Sequence, residues 1–210
     1  MLAIDRRGHG QSDVTERGYT AKQHAADLAR VARTERIRSA VVVGHAGGGP
    51  ATLEFARSYP HLVKAVMLVD THVSPRTSRG DPGKGPRTGL GGLIDALEGD
   101  RGPAAFEAMY RSFFSKHAGP IARHAVAEAK QIPLTVAKAE LASMAISIEA
   151  IARALTQPVL WVTVANADED RLPAIFRNVQ FGRVVGSRHF PHLEVPEQIN
   201  ALIERFLDTL

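Results

Sequence analysis

The chain has 210 residues, with 26 lysines and arginines against 22 acidic residues and a formal net charge of +4. The basic residues are scattered among the acids rather than gathered into runs with aromatic side chains, so we expect no nucleic-acid partner. No apolar run approaches the roughly 18 residues of a membrane span, so we expect no membrane partner, and the absence of cysteine excludes disulfides and thiolate metal sites.

The first third of the chain alternates predicted strands and helices. An apolar run predicts a short buried strand at Leu2–Asp5, and a one-sided apolar pattern predicts a helix over 20–36. The β-branched run Ala40–Val43 predicts a second strand, buried on both faces because its apolar residues do not alternate with polar ones. A helix over Pro50–Tyr59 and a third strand over Ala65–Val69 follow.

The middle of the chain predicts helices alone. Residues 74–92 are rich in glycine, proline, serine and arginine and predict a loop. Apolar periodicity then predicts five helices in succession: Leu93–Glu98, Ala104–Phe114, Ile121–Gln131, Leu134–Ile146 and Ile148–Leu155. A helical block therefore interrupts the strand–helix alternation.

The alternation returns in the last quarter of the chain. Two strands, each followed by a helix, are predicted there: Val159–Ala165, Glu169–Phe176, Gln180–Val185 and Pro196–Leu207. Strands that alternate with helices predict an α/β fold with a mostly parallel sheet flanked by helices. Residues 1–73 and 157–210 are therefore expected to form one core, with 74–156 as an inserted helical region.

The stretch VVVGHAGGGPA, residues 41–51, predicts a strand, a tight turn and a helix in direct succession. Its glycines, Gly44, Gly47, Gly48 and Gly49, fit close backbone approach and unusual backbone angles. The free amides at the start of the following helix favour a developing negative charge. Glycine-rich turns of this kind also bind the phosphates of dinucleotides. That use is disfavoured here, because GHAGGG does not fit the pattern G-x-G-x-x-G and no acidic residue lies at the matching place on the next strand.

Several segments, in this order, resemble the α/β-hydrolase family over nearly the whole chain. AIDRRGHGQSD is similar to the strand and loop before the family's elbow region, and VVVGHAGGGPATLEFARSYPHLVKAVMLVD to the nucleophile elbow, its helix and the next strand. PVLWVTVANAD resembles the later acid-bearing strand, and VVGSRHFPHLEVPEQINALIERFL the histidine loop and last helix. The resemblance implies a helical cap over 74–156, no cofactor, and hydrolysis of a small-molecule carboxylic ester, lactone or related acyl substrate through a Ser-His-Asp type triad.

The resemblance gives roles to three positions. Ala46 stands at the nucleophile position, and the N–H of Gly47 is the expected oxyanion-hole donor. His189 follows a strand near the end of the chain, where the family places its general base. These three groups are expected to meet at one edge of the sheet.

The acid of the triad is open among three carboxylates. Asp168 ends the strand VLWVTVANAD and is the first choice, because a carboxylate there would orient the imidazole of the base. Asp70 ends the strand VMLVD, which is the acid's location in some relatives, and Asp170 is a third candidate. A carboxylate at a strand end also caps the next helix, and this applies to all three.

Candidate substrate-binding residues come from the turn, the first loop and the helical block: His45, Arg7, Tyr110 and Phe114. Arg6 and His9 share the first loop with Arg7 and could reach the mouth of the site. His192 is expected to pack behind the base, and Trp161 to lie in the core. No cluster of His, Asp and Glu has metal-ligand spacing, so we expect no metal.

Two features depart from the family. Alanine at position 46 has no proton to give and no lone pair to attack with, so covalent turnover is impossible there. Either a serine has been replaced, giving an inactivated variant, or the chain is a natural pseudo-hydrolase that binds a small ligand or partner; the retained base loop and glycine turn favour the first. The chain also starts in mid-fold, which leaves one oxyanion amide without an expected source. An exposed edge near Met1 would favour a homodimer, and the absence of a signal peptide makes the cytoplasm the expected location.

Overall fold

The computed structural model describes residues 1–73, 89–145, 147–164 and 171–210. Within these ranges, parallel strands form one sheet in the order β1-β2-β3-β4: β1 (Ala40–His45), β2 (Val63–Val69), β3 (Val159–Thr163) and β4 (Val179–Arg183). The helices of the same ranges are α1 (Ala21–Thr34), α2 (Gly48–Ser58), α3 (Gly89–Ala96), α4 (Gly102–Ser112), α5 (Gly119–Ala129), α6 (Leu134–Met144), α7 (Glu149–Arg153), α8 (Leu172–Ile175), α9 (Pro191–Glu194) and α10 (Pro196–Leu207). The predicted parallel α/β sheet flanked by helices is confirmed.

The central strands β2 and β3 carry apolar side chains on both faces of the sheet. Val66 and Trp161 lie in one buried cluster, which α1, α2, α7 and α8 cover. Met67 and Val162 lie in the other, which α10 covers. Strands covered on both faces need apolar side chains at successive positions, which explains their unbroken apolar runs. The core position predicted for Trp161 is confirmed.

Helices α1 and α2 pack together beneath the sheet. Thr20 caps α1, because its Oγ1 accepts a hydrogen bond from the N–H of Gln23 over 3.2 Å. The small buried residues Ala25 and Ala29 let α1 approach the cluster that contains Leu53 of α2. This packing directs the first turn of α2 to the carboxyl end of β1, where the glycine-rich turn lies.

The helices between β2 and β3 divide into two groups. Those from α3 to α6 surround an apolar cluster of their own, which contains Leu97, Phe106, Ala129 and Ala137. Helix α7 instead packs under the sheet, where Ala152 joins the first core cluster. No helix in the described ranges combines the length and the apolar character that crossing a bilayer requires.

The strand predicted at Leu2–Asp5 is wrong. These residues adopt no strand, and Leu2 is 55% exposed. A strand is stabilised by backbone hydrogen bonds to a neighbour, and in the described sheet nothing pairs with this segment. An apolar run is therefore not enough to define a strand.

The prediction that β1 is buried on both faces is also wrong. β1 pairs with β2 alone among the described strands, and the side chain of Val43 is 52% exposed. An apolar run that lacks alternation resembles a central strand whether or not a second neighbour is present. Two helices also differ from expectation: α3 begins at Gly89, inside the predicted loop, and the short α9 was not predicted.

Candidate active site

The turn between β1 and α2 places Ala46 at a sharp bend. Its φ is +48°, in the left-handed region that residues other than glycine rarely adopt. Its N–H donates to the carbonyl of Val69 on β2 over 3.0 Å, and its carbonyl accepts from Thr71 Oγ1 over 2.6 Å. Contacts from β2 and from the segment that follows it therefore hold a strained residue in place, as expected where a side chain must project beyond the sheet edge.

Two glycines of the turn are required by close packing. A Cβ on Gly49 would lie 2.2 Å from Thr71 Oγ1, and a Cβ on Gly44 would lie 2.5 Å from a side-chain oxygen of α2. Gly48 has open space around it, and none of the turn's glycines has a positive φ. The unusual backbone angle expected at the glycines therefore belongs to Ala46.

His189 and Asp70 lie in direct hydrogen-bond contact. Nδ1 of His189 donates to Oδ2 of Asp70 over 2.6 Å. Asp70 directly follows β2, and its N–H donates to the carbonyl of Val162 on β3. The N–H of His189 donates to the carbonyl of Phe113 at the end of α4, over 2.9 Å. In a neutral ring this contact leaves the proton on Nδ1 and the lone pair on Nε2, which is the tautomer that a general base needs.

Of the three carboxylates considered for the acid, Asp70 is the one within the described residues. Asp168 and Asp170 lie outside them. The contact with His189 supports Asp70, which was the alternative acid from the sequence. Asp70 follows the last residue of β2, and β2 is hydrogen-bonded to the turn that contains Ala46. The Asp70 carboxylate therefore lies at the same edge of the sheet as Ala46.

His45 supports the loop that carries His189. Its Nε2–H donates to the backbone carbonyl of His189 over 2.6 Å, and its ring lies 4.9 Å from the ring of His189 and 4.7 Å from that of His192. Burial, reinforced by the nearby His189, lowers the pKa of His45 from 6.5 to about 3. His45 is therefore neutral near pH 7 and serves as a hydrogen-bond donor rather than as a cation.

A cavity of about 240 Å³ opens beside the turn. One end is lined by His45, Ala46, Gly47 and His189. The walls come from α4 and α6 and are mostly apolar: Phe106, Met109, Ala137, Leu141 and Met144. A concave, mostly apolar space with a few polar groups is typical of a small-molecule site.

The amide of Gly47 is available inside this cavity. No acceptor for its N–H lies among the described residues. Gly47 is also the N-cap of α2, where the helix dipole adds partial positive charge. The sulfur of Met144 would lie 3.0 Å from a Cβ at this position, so the helix α6 covers Gly47 closely. An oxygen that develops negative charge here would find an unpaired donor.

The far end of the cavity holds a buried ion pair. Glu140 on α6 accepts from Arg6 Nη1 over 2.9 Å and from His24 Nε2 over 2.8 Å. Glu140 is 8% exposed. Burial opposes its ionisation, but the hydrogen bond from His24 and the charge of Arg6 outweigh that effect and hold the pKa of the Glu140 carboxyl below its ordinary value. One carboxylate thus ties α6 to α1 and to the first loop.

Only some of the predicted substrate-binding residues line the cavity. Tyr110 lines the cavity, as do Arg6 and His9. Arg7 does not, because its guanidinium makes two 2.8 Å hydrogen bonds to the carboxylate of Asp27 on α1. Phe114 is buried behind the cavity wall, where it stacks on Phe190 at a ring distance of 4.8 Å. Both corrections have one cause: these side chains find partners of their own within the fold.

Sequence reasoning missed Glu140. The signal was present, because Glu140 follows the buried Val136 and Ala137 by four and three residues. Residues at those spacings share one face of a helix. A charged residue on the apolar face of α6 is therefore predicted to have a buried partner.

The described residues contain no group of three His, Cys, Asp or Glu side chains arranged to hold a metal ion. The cavity instead brings together an imidazole with a free Nε2, a carboxylate behind it and an unpaired backbone amide. Such an arrangement can activate a hydroxyl group for attack on a carbonyl and stabilise the oxyanion that forms. At position 46 the chain offers a methyl group in place of that hydroxyl.

A family model for the alpha/beta hydrolase fold matches residues 1–196. The 2-(acetamidomethylene)succinate hydrolase of Mesorhizobium japonicum is 42% identical over 69 residues, which are 33% of this chain and 25% of that protein. A non-heme chloroperoxidase of Streptomyces lividans is 40% identical over 70 residues, again 33% and 25%. The chain therefore matches about a quarter of the length of these curated relatives.

Solved structures match over almost the whole chain. The esterase RhEst1 from Rhodococcus sp. ECU1013 superposes with a TM-score of 0.79 at 22% identity, covering 99% of this chain and 80% of that one. Est816, described as an N-acyl homoserine lactone degrading enzyme, has a TM-score of 0.77 at 23% identity, covering 97% and 81%. At these identities the likeness shows a shared fold.

Proposed function

The chain belongs to the α/β-hydrolase family, and from that premise we propose that its cavity binds a small carboxylic ester, lactone or related acyl compound. The substrate carbonyl lies against the Gly47 N–H, and the pair His189–Asp70 is the base and acid of a hydrolytic triad. Ala46 occupies the position of the nucleophile, so no acyl-enzyme forms.

One observation carries this proposal: His189, hydrogen-bonded to Asp70 over 2.6 Å, lines the same cavity as Ala46 and Gly47. The Nε2 of His189 makes no hydrogen bond to a described residue, so it is available to a ligand in that cavity. The positive φ of Ala46 supports the same conclusion, because a strained backbone at a ligand cavity is favoured where a side chain has to be presented to a ligand.

The proposed triad would transfer protons in the following order. A hydroxyl at position 46 would pass its proton to Nε2 of His189 as its oxygen attacks the carbonyl carbon, and Asp70 would stabilise the imidazolium. The same proton would then leave with the alcohol. With a methyl group at position 46 the first step has no attacking oxygen, whereas binding of the carbonyl at Gly47 is unaffected.

The direct test is to replace Ala46 with serine and to measure hydrolysis of short-chain p-nitrophenyl esters. We expect kcat/KM of the Ala46→Ser variant to exceed that of the unmodified chain by at least about a thousandfold, because loss of a triad nucleophile costs more than that. The gain must disappear when His189→Ala is added.

The matched control is Ala127→Ser on the exposed face of α5, which adds the same hydroxyl away from the cavity. Its rate should equal that of the unmodified chain. A folded Ala46→Ser variant with no gain would contradict the proposed triad.

A second candidate function is binding without turnover. It is favoured by Ala46 itself, since the chain has kept the cavity and the Gly47 amide without an attacking group. In that case the Ala46→Ser variant stays inactive, while short-chain esters or their acids still bind to the unmodified chain with saturation in a calorimetric titration.

A further inference from the structure

Three polar side chains at the far end of the cavity have atoms without partners. The Tyr110 hydroxyl, the Nε and Nη2 of Arg6 and the Nε2 of His9 make no hydrogen bond to any described residue. Every fully buried side-chain nitrogen or oxygen in the described ranges does have a partner. These atoms are therefore accessible, and all three residues line the cavity.

His9 is an acceptor at this place. Its Nδ1 lies 3.1 Å from the carbonyl of Arg7, and a carbonyl only accepts, so Nδ1 carries the proton. Burial lowers the pKa of the His9 ring, which keeps it neutral. The far end of the cavity thus offers donors from Arg6 and Tyr110 and one acceptor from His9.

A chain of aromatic ring contacts runs from His189 to Tyr110 along the cavity. The ring of Phe113 lies 4.6 Å from the ring of His189, and the ring of Tyr110 lies 5.5 Å from that of Phe113. Tyr110 also contacts Phe106 at a ring distance of 5.0 Å. A ligand whose carbonyl sits at Gly47 would run along these rings before it reaches the polar groups.

We propose that Arg6, His9 and Tyr110 form a specificity subsite for a neutral hydrogen-bonding group, an amide or a hydroxyl, at the far end of the acyl chain. The proposal rests on the proposed function, because the ester carbonyl at Gly47 fixes which end of the ligand arrives there. An amide supplies a carbonyl oxygen that accepts from Arg6 and Tyr110 and an N–H that donates to His9, so each of the three side chains gains a partner.

The same residues disfavour the two other classes of ligand. A carboxylate would share the one charge of Arg6 with Glu140, which Arg6 already neutralises, and would give the neutral His9 no proton. A wholly apolar chain would cover the free donors and the acceptor without pairing them, which costs free energy. Selectivity for a neutral polar group therefore follows from charge and from hydrogen-bond count.

Three probes of matched shape test the subsite: the monoethyl ester of glutaric acid, its terminal primary amide, and ethyl 5-methylhexanoate. They differ only in a terminal carboxylate, carboxamide or isopropyl group. Binding to the unmodified chain, which forms no acyl-enzyme, is followed by ligand-detected NMR titration, and the corresponding adipic and pimelic series covers longer reaches. In the series whose chain length gives the tightest binding, we expect the amide probe to bind about tenfold more tightly than the carboxylate or isopropyl probe.

Tyr110→Phe removes the hydroxyl and keeps the ring, and His9→Leu removes the acceptor. Each should lower the amide preference about threefold or more, whereas Tyr59→Phe, in the core cluster beneath the sheet, should leave it unchanged. Preference for the isopropyl or the carboxylate probe, or an amide preference that both variants retain, would overturn the subsite.

Failure of the subsite is distinguishable from failure of the proposed function. If the Ala46→Ser variant hydrolyses p-nitrophenyl esters and the three probes bind equally, the triad stands and the subsite is wrong. If that variant is inactive but the amide preference and its loss in Tyr110→Phe are observed, the subsite stands in a binding protein.

Discussion

At the residue scale, the side chains that share the cavity with Ala46 decide what the site can do. The backbone there is already in the conformation that a projecting nucleophile requires, with φ at +48°. Serine differs from alanine by one oxygen and makes the same demand on the backbone. Under the proposed function, a serine at position 46 therefore needs no further change of backbone conformation.

His45 makes the stability of the protein depend on pH. The pKa of His45 is lowered from 6.5 to about 3 by folding, so the unfolded chain binds more protons between these values. The stability from a neutral, buried His45 is complete above pH 6.5 and declines as the pH falls. We expect this group to remove about 2 kcal/mol from the free energy of unfolding between pH 7 and pH 5.

Urea denaturation at the two pH values measures this loss. His45→Gln keeps an N–H donor for the carbonyl of His189 but cannot titrate, so its loss should be smaller by about that amount. His9, whose pKa is also lowered, contributes equally to both proteins. Equal losses in the two proteins would show that His45 is not the group responsible.

At the scale of elements, the geometry of the turn depends on close contact between α2 and the segment after β2. Gly49→Ala would place a methyl 2.2 Å from Thr71 Oγ1, the same oxygen that holds the carbonyl of Ala46. We expect a loss of about 1–3 kcal/mol in the free energy of unfolding, since the methyl has no space.

Gly48→Ala is the matched control, one residue earlier in the same helix, with no atom within 4 Å of the added methyl. It should be neutral or stabilise the protein by up to about 1 kcal/mol, because alanine favours helix over glycine. Thermal unfolding measures the stability of both variants. Equal stabilities would mean that Thr71 does not constrain the turn.

Glu140 connects three elements at one end of the cavity. Glu140→Gln removes the charge that neutralises Arg6 while keeping the shape, and we expect a loss of about 1–3 kcal/mol. Glu98→Gln breaks the pair with Lys138, in which the Glu98 side chain is 62% exposed, and should cost less than about 1 kcal/mol. Urea denaturation compares the two, and a Glu140→Gln loss no greater than that of Glu98→Gln would contradict a structural role for the buried pair.

At the scale of the whole molecule, the sequence predicted what depends on local pattern. The parallel α/β architecture, the turn around Ala46 and the helical region between the two parts of the sheet follow from apolar periodicity and from glycine placement. His189 was found by its order in the chain, and His45 by its position beside the turn. The resemblance, which rests on several motifs in order, gave the role expected for His189.

What the sequence did not predict depends on contacts between distant residues. The partner of His189 is such a contact, because strand ends alone do not rank Asp70 against Asp168. The buried pair of Glu140 with His24 joins residues 116 positions apart. The edge position of β1 and the unpaired Leu2–Asp5 also depend on which strands lie alongside, and a local apolar pattern contains no such information.

Covalent labelling tests whether position 46 is a nucleophile site that His189 activates. The Ala46→Ser variant is treated with a serine-directed fluorophosphonate, and its intact mass and labelled peptide are determined beside those of the unmodified chain. We predict one adduct per chain, located at position 46, absent from the unmodified chain and greatly slowed when His189→Ala is added. A folded Ala46→Ser variant that remains unlabelled, or that labels as fast without His189, would contradict the account.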